Sequence, residues 1–201
     1  MAKKKEESLG IQPIVLGNLV MTLKGETPYI ANAYAMKEGT GKRPKSLPIE
    51  EQINFDEDGD YAIKSSAIKK AVVSGGGRFA GEKMTVLRGA IQIPQTYIKL
   101  VAPQGYEEVM FAITNNTAGK KKVEAARPVF YEWETAPFKV QYLKSALTRE
   151  DVMNLFFHAG FAVGIGAWRP ECNGQYGMFT LTRCDELPDD ALTFQSDSTG
   201  A

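Results

Sequence analysis

Apolar and polar residues alternate in several short stretches of this chain and recur at helical spacing in two others. In residues 16–24, Leu19, Met21 and Leu23 fall on one side and Val20, Thr22 and Lys24 on the other. This predicts a strand, ended by Gly25. Further on, Ile68, Ala71 and Val72 share one helical face and Lys69 and Lys70 the opposite one. Ser65 or Ser66 caps this helix, and the run Gly75-Gly76-Gly77 is expected to stop it, leaving a mobile loop near residues 75–84. Short strands are expected at 90–93 and 96–101, either side of Pro94. The alternation of Val109, Phe111 and Ile113 gives a clearer one. Asn115-Asn116-Thr117-Ala118-Gly119 is a hairpin turn signal, and strands at 129–134 and 137–143 follow. In the latter, Phe138, Val140 and Tyr142 face one way, with Lys139 and Gln141 opposite.

Thr148 opens the best helix. Asp151 completes a capping box, and Val152, Leu155, Phe156 and Ala159 form an apolar stripe. Gly160 is the expected C-terminal stop, and residues 175–181 read as the last strand. The order is β, α, several β, α, β. The expected fold class is α+β: a ferredoxin-like, RRM-type antiparallel sheet with two helices and an enlarged middle hairpin region. One domain is expected over residues 13–184. A flexible arm precedes it at 1–12, loops at 37–47 and 75–84 are mobile, and an acidic tail follows at 185–201.

Composition narrows the function classes. The chain has 201 residues, 43% of them hydrophobic, which is enough for a sizeable core. No apolar run approaches the roughly 20 residues of a membrane helix, and no apolar segment follows the charged start, so neither a membrane nor a secretory role is expected. His158 is the only histidine, and Cys172 and Cys184 the only cysteines. A structural zinc site takes about four such ligands, so no metal or other cofactor is expected. Two lone thiols fit a reducing cytoplasm, with a disulfide between them left open.

Net charge is zero but unevenly spread. Residues 1–45 carry eight Lys/Arg against four Asp/Glu, residues 46–60 six acids and no base, and residues 61–125 ten bases against four acids. Solvated loops account for this simply. The functional reading is a basic face for phosphates beside acidic segments that meet neighbouring subunits. Candidate nucleic-acid contacts are Arg78, Lys83 and Arg88 after the triple glycine, with Phe79 for base stacking, and Lys120, Lys121 and Lys122 beside the hairpin tip. Trp168 and Arg169 complete the set, in a glycine-rich segment with Gly160, Gly164, Gly166, Gly174 and Gly177. That segment is neither a phosphate-binding loop ending in Gly-Lys-Ser/Thr nor a dinucleotide fingerprint, because it follows a helix. Tyr131 and Trp133 are secondary stacking candidates, although alternation makes one of them core. The acids at 56–60 lack the ligand spacing of a calcium loop and read as a turn.

Several motifs resemble uncharacterised phage-encoded proteins across about residues 15–183. They are Arg127-Pro-x-Phe130-x-x-Trp133, Gly164-Ile-Gly-x-Trp-Arg-Pro170, Gly174-x-Tyr-Gly-x-Phe179, the turn Gly25-Glu-Thr-Pro28 and the small-residue helix at 65–74. In element order and terminal glycine-rich segment the chain also looks like the RAMP superfamily of CRISPR proteins. That superfamily includes crRNA-binding backbone subunits and crRNA-processing nucleases. Met178 stands where its usual ending has a basic residue. These resemblances imply a non-enzymatic protein that binds single-stranded RNA or DNA, self-associates or joins a larger assembly, and works in the host-cell cytoplasm. The alternative is a phage assembly protein, or one that contacts a host defence complex through protein alone. A nuclease would need His158 as its general base.

Overall fold

The computed structural model describes residues 13–33, 48–102, 105–115 and 121–192. In chain order its strands are β1 (Ile14–Gly25), β2 (Tyr29–Ile30), β3 (Asn54–Phe55), β4 (Tyr61–Lys64), β5 (Ile91–Gln92), β6 (Tyr97–Ala102), β7 (Glu107–Asn115), β8 (Lys121–Phe130), β9 (Glu134–Thr135), β10 (Phe138–Leu143) and β11 (Phe179–Leu192). The helices are α1 (Ser65–Phe79), α2 (Met84–Ala90) and α3 (Arg149–His158).

β1 lies at the centre. It pairs antiparallel with β10 on one edge, Leu19 opposite Val140 and Met21 opposite Phe138. On the other edge it pairs antiparallel with β11, from Gly25 opposite Phe179 to Ile14 opposite Leu192. β5 adds antiparallel to β10. The order β11-β1-β10-β5, with α1 connecting toward β5 and α3 connecting β10 to β11, is the ferredoxin-like arrangement the element order predicts. Leu19, Met21 and Leu23 are fully buried, as are Ile68 and Val72 of α1 and Val152 and Phe156 of α3. Phe138 of β10 meets Phe156 ring to ring. The two long helices therefore cover one sheet face, and their shared apolar surface is the core.

Two insertions enlarge this frame. β3, β4, β6 and β9 extend the sheet beyond the end of β1, in the order β3-β4-β6-β9-β1. β2, β8 and β7 form a second sheet, in which the long β7–β8 hairpin runs in register from Glu107 opposite Val129 to Asn115 opposite Lys121. Residues 56–60 make the expected turn between β3 and β4: Asp56 Oδ1 accepts the backbone N–H groups of Asp58 and Asp60. No helix among the described residues is long and apolar enough to cross a membrane.

Several expectations need correcting. The triple glycine does not stop α1, which continues to Phe79, so only residues 80–83 link it to α2. Each glycine costs a helix about 1 kcal/mol relative to alanine, but here tertiary contact needs the missing side chain. A Cβ on Gly75 would lie 3.0 Å from the Ala159 nitrogen and 3.2 Å from its Cα. A third helix, α2, follows where no helix was expected, and Ser65 is the first residue of α1 rather than its cap. Gly160 does not end α3. The helix widens into a π-turn, Ala159–Val163, and stops at Gly164, whose φ of 69° no branched residue would adopt at low cost.

The last strand starts at Phe179 and runs to Leu192, so residues 185–192 are sheet rather than tail. Three of their acids meet bases: Asp185 pairs with Arg183, Glu186 lies within 3.4 Å of Arg149, and Asp189 within 2.6 Å of Lys144. The expected strand at 129–134 breaks between Phe130 and Glu134. There Trp133 is buried and donates its indole N–H to the Thr27 carbonyl, which removes it as a stacking platform. The arm at 1–12, the loop at 37–47, the turn at 116–119, Lys120 and residues 193–201 lie outside the described residues.

Candidate nucleic-acid interface

Ser66, Lys70, Ser74 and Arg78 recur every fourth residue of α1 and so form one stripe on its outer face. The stripe floors two adjoining clefts. The first, of about 370 Å³, has its opposite wall in the turn after α3, where Gly164, Gly166 and Arg169 stand, and is closed by Tyr29, Asn54 and Lys64. The second, of about 350 Å³, runs on toward α2, over Val73 and Met84, between Lys69, Arg78 and Arg88. Ser66, Lys70 and Glu171 line both. The small side chains Ser66, Ala67, Ala71 and Ser74 keep the floor low, and the bare backbone at Gly164 and Gly166 lets the opposite wall approach.

Among the described residues, six cations line the pair of clefts (Lys64, Lys69, Lys70, Arg78, Arg88 and Arg169), against one carboxylate, Glu171. Lys69 donates to the Gln92 side-chain oxygen at 2.6 Å, and desolvation pushes its ammonium below the usual lysine range. Lys64 lies over the Tyr97 ring. Lys70 and Arg88 have no ion-pair partner among the described residues.

Glu171 is the most connected group. Its Oε1 accepts from the Ser74 hydroxyl at 2.8 Å and forms an ion pair with Arg78 Nη2 at 3.1 Å. Its Oε2 accepts from Arg169 Nε at 3.1 Å and Nη2 at 2.7 Å. Desolvation raises this carboxyl. The hydrogen bonds from Ser74 and Arg169, with the charges of Arg169 and Arg78, outweigh that and hold it below the usual carboxylate range. The Glu171 carboxylate thus ties the α1 stripe to the turn after α3. Arg169 donates its remaining fork atom, Nη1, to the Gly166 carbonyl at 3.1 Å. Its main work is to shape the wall.

The sequence-derived candidates divide accordingly. Arg78, Arg88 and Arg169 come together in the clefts. Lys83 is exposed at the start of α2 and lines neither. Trp168, at φ 48°, turns away and packs on Phe111 of β7, ring centroids 4.4 Å apart, so it pins the hairpin to the turn. Lys121 and Lys122 sit at the far end of β8, opposite Asn115 and Thr114. Lys64, Lys69, Lys70, Ser66, Ser74 and Glu171 were not singled out from sequence, and the four-residue stripe is the signal that finds half of them. Phe79 is 54% exposed where α1 ends. His158 is exposed in the last turn of α3, beside a separate hollow with Asp151 and Asn154.

No family model matches the chain, and no curated protein matches it in sequence. Among solved structures it resembles a chain in the cryo-electron-microscopy structure of the Type III-B Cmr-β complex bound to cognate target RNA, at 14% identity and a TM-score of 0.49. The match covers 86% of this chain and 61% of that one, so the chain spans about three fifths of its neighbour's length.

Proposed function

We propose that this protein binds single-stranded nucleic acid, RNA or DNA, along the α1 stripe, and does so without catalysis. The observation that carries the reading is the excess, among the described residues, of six cations over one carboxylate in two joined clefts. From Ser66 to Arg78 the stripe runs about 18 Å along the helix, the reach of a few phosphates on one strand. A groove of this kind tracks a backbone by charge rather than by base reading, and Phe79 at its end offers a ring for one base.

A non-catalytic role fits the placement of the nucleophiles and bases. His158 lies outside both clefts, and desolvation pushes the Cys184 thiol up, away from a reactive thiolate. On the phage resemblance the protein acts in the host cytoplasm, where Cys172 and Cys184, both free, stay reduced.

The test is a fluorescence anisotropy titration with labelled oligouridine and oligothymidine. Binding at about 50 mM salt that weakens steeply by about 200 mM, with a log–log slope of about −0.7 per phosphate contact, is the expected result. Absence of binding at low salt would sink the proposal.

One observation favours a protein partner as a second reading. Phe157 and Phe161, one turn apart on α3 and the π-turn, are both exposed, Phe161 by 75%. Apolar rings so placed suit self-association or a larger assembly. Size-exclusion chromatography that gave only monomer for the wild type, with no change for Phe161→Ser, would count against it.

A further inference from the structure

Among the described residues Glu171 is the only carboxylate lining either cleft, and it stands where the two join. A carboxylate has about four acceptor positions: Ser74 takes one and Arg169 two, and Arg78 adds an ion pair 3.1 Å from Oε1. These contacts are unequal. The Arg169 side of the clamp is half-buried and donates two N–H groups to one oxygen, Oε2, whereas Arg78 is 54% exposed and pairs through a single nitrogen without a hydrogen bond. Losing Arg78 would leave Glu171, itself only 13% exposed, still held by Arg169 and Ser74.

A phosphodiester offers a guanidinium the same chemistry as a carboxylate: one negative charge and two acceptor oxygens. Arg78 ends the α1 stripe and faces the second cleft beside Arg88, on the path a bound strand would take. We infer that Glu171 is a built-in competitor of that strand: it occupies Arg78 in the free protein, and an incoming phosphate displaces it from that guanidinium. The inference rests on the nucleic-acid reading above. It sets the protein's affinity below what six cations would otherwise give and keeps the groove partly neutralised until a strand arrives. A residue that only positioned the arginines would have the opposite signature, because its removal would weaken binding.

The experiment measures oligouridine affinity for the full chain and its variants by anisotropy, with near-ultraviolet circular dichroism confirming the fold. Glu171→Gln should bind about tenfold tighter, with a salt slope steeper by about 0.7, because one more cation meets phosphate. Arg78→Ala should weaken the wild type only slightly yet abolish the whole gain in Glu171→Gln, a coupling that a double-mutant cycle reads directly. Should the amide disturb the turn, Glu171→Asp keeps the charge on Arg169 but withdraws it from Arg78, and tightening is again expected. Wild-type binding with both variants equal to it or weaker overturns the inference and leaves the nucleic-acid reading standing. A wild type that fails to bind overturns both.

Discussion

Replacing Gly75 by alanine tests how closely α1 approaches the chain that leaves α3. In an open helix the change should stabilise by about 0.8–1 kcal/mol through helix propensity alone. At Gly75 the new methyl would meet Ala159 N at 3.0 Å, Ala159 Cα at 3.2 Å and the His158 carbonyl carbon at 3.3 Å. All are backbone atoms of a packed segment, which yields less than a side chain does. Overpacking of this kind costs about 1–3 kcal/mol, so Gly75→Ala should come out about 0–2 kcal/mol less stable than wild type. Gly89→Ala, in α2, is the internal control. Its methyl would enter open space, with nothing within 4 Å, so the propensity gain should survive. The two variants should therefore differ by about 1–3 kcal/mol, or several degrees in Tm at about 2–4 °C per kcal/mol for a chain of this size. Urea denaturation followed by the fluorescence of buried Trp133 reads both. Gly75→Ala as stable as Gly89→Ala would refute the close approach. The wall of the first cleft would then lose its support, since the same segment carries Gly164 and Gly166.

Two further outcomes follow from local chemistry. Thr148→Ala removes a full capping box, in which Thr148 Oγ1 accepts from the Asp151 N–H at 3.1 Å and Asp151 Oδ2 accepts from the Thr148 N–H at 2.8 Å. It should cost about 1 kcal/mol in thermal denaturation, with Thr148→Ser near wild type. Glu171 has a depressed folded-state pKa, so its stabilisation is complete above the unfolded carboxylate value, about 4.3, and fades as pH falls from there through the lower folded value. The stability gap between wild type and Glu171→Gln should be flat around neutrality and close only in that acid window. A gap that closes near neutral pH would contradict the clamp.

The central sheet and α3 are legible in the sequence because their signals are local. Alternation in β1 and β10 marks the residues that are buried, and Thr148 with Asp151 announces the start of α3. The misread segments depend on distant partners. The triple glycine looks like a stop until Ala159 lies against it. The acids of β11 look like a tail until Arg183, Arg149 and Lys144 meet them. The site failed for the same reason. Ending α1 at Gly75 cuts the stripe between Ser74 and Arg78, so Lys70 and Arg78 appear unrelated. Glu171 is 97 residues from Ser74, and no local pattern links them. Of the candidates named for nucleic acid, Arg78, Arg88 and Arg169 line the clefts, Arg169 hydrogen-bonded into the wall, while Trp168 packs on the hairpin. The element order read from the sequence, β, α, several β, α, β, is the order the chain has around its central sheet, with α2 added.

The central claim is that the α1 stripe carries the strand, and Lys70 is the residue common to both clefts with no ion-pair partner among the described residues. The direct measurement compares oligouridine affinity at low salt for Lys70→Glu and for Lys24→Glu, a reversal at an exposed position of β1 that lines neither cleft. The net-charge change is identical. Lys70→Glu should weaken binding about tenfold or more and flatten the salt slope by about 0.7, with Lys24→Glu close to wild type. Equal losses in the two variants, or none in Lys70→Glu, would contradict the account.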